Sequence, residues 1–170
     1  MTLTTAQLTT LKADILLDPV LSAQPNNSDG AFAIAAAYNL IASPDFWVWK
    51  TNLSEQACVA ETGPEGTVWS WPQYIARTEP ERDGWKRLFA ADSTNPSLPN
   101  VRQAVADIFG GAQAAPTAQR THLLAIARRK ATRAEKLFAT GTGSTAIPAT
   151  MIFEGSNLSF QDVIAALSLP

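Results

Sequence analysis

Hydrophobic positions recur every three or four residues through much of this chain, so helices are expected first. Leu8, Leu11 and Ile15 repeat on one face behind Thr4-x-x-Gln7, which has the form of a capping box. That predicts a first helix ending at Asp18-Pro19, because proline cannot continue it. After the turn-rich Gln24-Pro25-Asn26-Asn27-Ser28, Ser28 or Asp29 can cap an alanine-rich second helix from Gly30 to Ala42, in which Phe32, Tyr38 and Ile41 supply bulk. Asn52-x-x-Glu55, Ser70-x-x-Gln73 and Thr78-x-x-Glu81 predict further helix starts, the last followed by Trp85, Leu88 and Phe89 at helical spacing. Val101, Val105 and Ile108 line another helix, closed by Gly110-Gly111.

The last third carries the strongest pattern. Thr117 to Thr140 reads as one long cationic helix with Leu123, Ile126 or Ala127, Lys130 or Ala131, Ala134 and Leu137 as its buried stripe. It runs into Gly141-Thr142-Gly143-Ser144-Thr145, read as a hinge or extended arm because glycine is free to adopt positive φ. Thr150 to Glu154 is the best strand candidate, and Ser159-x-x-Asp162 caps a terminal helix with Val163, Ile164 and Leu167. The expected fold is mainly α, a helical bundle with a small β element, strand or hairpin, near the C-terminus. Residues 1–140 form the helical body, and residues 141–170 a glycine-linked C-terminal arm with a short strand and a terminal helix.

Composition adjusts this picture. The 170 residues suggest one domain able to bury about 70% of its unfolded surface. Charged residues make up 16%, below the roughly 25% typical of soluble domains, so part of the surface is expected to face partners. The net charge of -2 hides a polarity. Residues 1–65 carry Lys12 and Lys50 against Asp14, Asp18, Asp29, Asp45, Glu55, Glu61 and Glu65. Residues 117–140 carry Arg120, Arg128, Arg129, Lys130, Arg133 and Lys136 against Glu135. Such a chain can stack on copies of itself, set one face against a charged partner, or pair its own halves. The overall acidity argues against a dedicated nucleic-acid binder, although Arg128, Arg129, Lys130 and Arg133 could contact phosphates.

Catalytic chemistry is poorly supplied. His122 is the single histidine and lies among leucines and arginines, so an interfacial or half-buried role outweighs that of a general base. Cys58 is the single cysteine, with no zinc spacing and no cationic neighbour in sequence to lower its pKa. The glycine loop lacks the lysine of a phosphate-binding loop and follows a helix rather than a strand. No catalytic, cofactor-binding or metal-binding residue is expected, and neither a secretory signal nor a membrane-spanning run is evident. Tryptophans alternate at Trp47/Trp49 and Trp69/Trp71, as in short strands or a hairpin, and serve either as an aromatic plug or as interface anchors.

Four blocks carry a resemblance: Gln24 to Gly30, Asn95 to Gln103 with Asp107-Ile108-Phe109, Ala131 to Gly143, and Thr150 to Gly155. Together they resemble small structural proteins of tailed bacteriophages, of the head–tail connector (adaptor) kind that docks beneath the portal. The resemblance implies a non-enzymatic virion protein of the neck, made in the host cytoplasm. It implies a ring, dodecameric to match the portal, whose partners are the portal protein, copies of itself and downstream tail or nozzle proteins, with transient contact to packaged DNA and none to membrane. It places the arm's contacts at Gly141, Gly143, Thr150, Met151, Ile152 and Phe153, and a second set on the basic helix at Arg128, Arg129, Lys130 and Arg133. A capsid decoration or head-completion protein, or a DNA-contacting module, are the other classes this composition fits.

Overall fold

The computed structural model describes residues 3–60, 62–63, 66–150 and 157–170. The protein is mainly α: about 55% of it is helical, in ten helices, with two two-stranded sheets among the described residues. The chain divides into two compact units, residues 1–47 with 130–170, and residues 48–129.

Unit 1 holds α1 (Thr5–Leu17), α2 (Pro19–Ser22), α3 (Ser28–Asn39), α9 (Arg133–Phe138) and α10 (Phe160–Leu167). The Thr4/Gln7 capping box starts α1 as its sequence dictates. α3 begins earlier than the pattern indicated: Asn27, not Ser28 or Asp29, is the cap, its side chain accepting from Gly30 N–H at 3.0 Å. Gly30 is required there, because a Cβ would fall 1.9 Å from the Pro25 carbonyl oxygen. The core joins Leu11 and Ile15 of α1, Ile34 and Tyr38 of α3, Phe138 of α9, and Val163 and Ala166 of α10. α10 packs on both α1 and α3. Its entry is clamped by Asn39, whose side chain donates to Leu158 C=O at 2.9 Å and accepts from Leu158 N–H at 2.8 Å.

Unit 2 holds β2 (Leu53–Ser54), α4 (Glu55–Ala60), α5 (Trp71–Ile75), α6 (Glu79–Leu88), β3 (Ser93–Thr94), α7 (Pro99–Ile108) and α8 (Ala114–Ile126). β2 and β3 pair antiparallel. Ser54 caps α4 by accepting from Ala57 N–H at 3.1 Å, displacing the cap expected at Asn52. The core centres on Trp85, 1% exposed, with Leu53, Cys58, Phe89, Ile108, Phe109 and Leu123 around it. Trp69 lies 5.1 Å from the Trp85 ring, and the indole N–H of Trp85 donates to Glu55 at 2.6 Å. Trp47–Trp49 is a strand, β1, as the alternation suggested. Trp69 is not in a strand, and Trp71 opens α5, so the second tryptophan pair fits no hairpin.

The single long cationic helix is corrected. α8 stops at Ile126, Arg128–Lys130 is an extended strand (β4) paired with β1, and α9 starts afresh at Arg133. The break has a local cause. Thr132 and Glu135 form a complete capping box, Glu135 accepting from Thr132 N–H at 2.8 Å, and a capping residue takes extended backbone angles that interrupt a helix. Of the apolar stripe, Leu123, Ile126, Ala127, Ala131 and Ala134 are buried, Leu137 is half-buried and Lys130 is exposed, and the stripe is divided between α8, α9 and the residues flanking β4.

Candidate interaction surfaces

Part of the charge polarity of the sequence is neutralised by ion pairs within unit 1. Arg133, at the first turn of α9, donates to Asp18 at 2.7 Å and to Asp14 at 2.9 Å, both at the end of α1. Its guanidinium lies 4.6 Å over the Tyr38 ring, and the Tyr38 hydroxyl donates to Asp14. Burial first, then the Asp14 contact, pushes the Tyr38 phenol above its ordinary value. The Asp18 carboxyl is held below its ordinary 3.8 by the Arg133 hydrogen bond and by the N–H groups of Leu21 and Val20, which it also caps. Burial disfavours the Arg133 cation, yet its hydrogen bonds to Asp18 and Asp14 outweigh that and raise its pKa. Lys130 pairs with Asp45 at 2.6 Å. Lys136 lies 5.9 Å over the Phe46 ring, and Arg120 donates to the Phe109 carbonyl that ends α7.

This ion cluster forms one wall of a groove in unit 1. Asp14, Asp18, Ala37, Leu40, Ile41, Arg133, Lys136 and Leu137 line it, around a volume of about 720 Å³. Leu40 is 67% exposed and Ile41 55%, although both are large and apolar. Beside the same acidic corner Leu17 is 83% exposed, with Leu16 and Val20 also in solvent. The corner is stiffened from below, because Asp18 caps α2, Pro19 opens it, and Arg133 grips Asp18 from α9.

Unit 2 offers a second apolar face. Val68, Trp71 and Ile75 are exposed, Trp71 at 55% and Ile75 at 68%. Trp71 and Ile75 are four residues apart on α5 and so share a helix face. Arg77 and Arg82 stand at its C-terminal end, where Arg82 donates to Ile75 C=O at 3.1 Å.

The glycine loop is fastened rather than loose. Gly141 and Gly143 have φ of +124° and +66°, as glycines at such a bend should. Gly143 is buried against Phe46, whose ring would lie 2.1 Å from an added Cβ. Trp47 N–H donates to Gly143 C=O at 2.7 Å, Ala149 N–H to Trp47 C=O at 2.8 Å, and Thr140 and Thr150 form an antiparallel bridge. Ile147 is exposed at the turn. Thr150 is thus placed, whereas Met151, Ile152 and Phe153 lie outside the described residues.

Of the four basic candidates, Arg133 and Lys130 hold carboxylates of unit 1, while Arg128 and Arg129 sit on β4. His122 is completely buried. Its Nε2 lies 2.8 Å from the Cys58 carbonyl, so that nitrogen carries the proton, and Nδ1 faces the Thr67 hydroxyl at 3.3 Å. It ties the loop before α5 to α8. Of the groove residues, only Arg133 was singled out from the sequence as a contact, and the groove itself was not. Adjacent apolar residues at Leu16-Leu17 and Leu40-Ile41, each at a helix end where a single amphipathic face cannot hide both, were the available signal.

No family model, curated protein or solved structure matches this chain.

Proposed function

We propose that this chain is a non-enzymatic virion structural protein: a ring subunit of a head–tail connector whose helical-bundle body docks on a portal. The carrying observation is the groove of unit 1. Its wall is fixed by the Arg133–Asp14–Asp18 cluster, and Leu40 and Ile41 stand exposed at it. Exposed large apolar side chains around a rigid recess favour a surface that another polypeptide covers. The sequence blocks resembling phage connectors supply the kind of assembly, and Ala131 to Gly143, the longest of them, contributes both Arg133 and Gly143.

Of the 141–170 arm, Gly143, Ala149 and Thr150 are tied to Trp47 and Thr140, and the terminal helix α10 belongs to the core of unit 1, so in this reading the groove rather than the arm is the main docking surface. Lys130 and Arg133 are engaged with carboxylates, which favours a protein partner over DNA. A tagged chain incorporated into its phage and imaged in the particles decides between classes. A ring of label at the neck is the expected result. Label spread over the capsid shell would favour a decoration protein, and absence from particles would end the proposal.

A further inference from the structure

We draw no further inference here: the strongest candidate, the groove of unit 1 at which Leu40 and Ile41 stand exposed, carries nothing because its charges balance and nothing in the structure shows what covers it.

Discussion

Arg133 shows how much one side chain organises. It satisfies two carboxylates from α1 and covers an aromatic ring from α3. Asp18 has its pKa lowered in the folded protein, chiefly by this arginine. A lowered carboxylate pKa contributes stability that is complete above the unfolded value and is lost as pH falls through the folded one. Arg133→Met should therefore lower the midpoint of unit 1 at neutral pH. The difference from wild type should shrink as pH drops below 3.8, the ordinary Asp18 value, and a series of urea melts from neutral to acid checks it. A pH-independent difference would assign the role of Arg133 to packing over Tyr38 alone. Gly143 makes a second case. Its positive φ costs an L-residue about 1–2 kcal/mol, and the Phe46 ring must move as well. Gly143→Ala should lose about 2–4 kcal/mol in denaturant unfolding, whereas a loose hinge would tolerate the change.

Among the elements, those whose ends carry local chemistry were readable in advance. The capping boxes at Thr4, Thr78 and Ser159 start α1, α6 and α10 where the sequence put them, and Gly110-Gly111 follows the end of α7. The long cationic helix was misread because periodicity outweighed a punctuation mark within it. Thr132-x-x-Glu135 has the same form as the boxes that were recognised, but it lay inside a stripe of buried alanines that suits either helix or strand. The groove was illegible for a different reason. It is assembled from α1, α3 and α9, which are far apart in sequence, and no pairwise spacing within one helix announces it. α10 also carries a prediction. Asn39 makes both hydrogen bonds that fasten Leu158 ahead of it, so Asn39→Ala should cost about 1–3 kcal/mol and speed amide exchange in 158–167 ahead of α1. Exchange unchanged there would mean that Val163 and Ala166 hold α10 by burial alone.

On the scale of the whole chain, each unit has its own core, and each leaves a large apolar surface in water. Tryptophan reports them unequally, since Trp49, Trp69, Trp71 and Trp85 all belong to unit 2. Removing residues 157–170 strips Leu158, Val163 and Ala166 from the unit 1 core. That truncation should abolish cooperative melting of unit 1 by far-UV circular dichroism while the tryptophan emission of unit 2 stays native-like. A simple loss of assembly after deleting the C-terminus would therefore say little about an arm, and point substitutions at exposed positions are the sounder probe. The internal pairing of Lys130 and Arg133 likewise moves the expected partner away from nucleic acid. Native mass spectrometry of the chain mixed with purified phage portal rings tests the proposed connector role most directly. A single saturated complex with one chain per portal subunit is the expected spectrum. Portal rings that remain bare at every ratio, with this chain monomeric beside them, would contradict it.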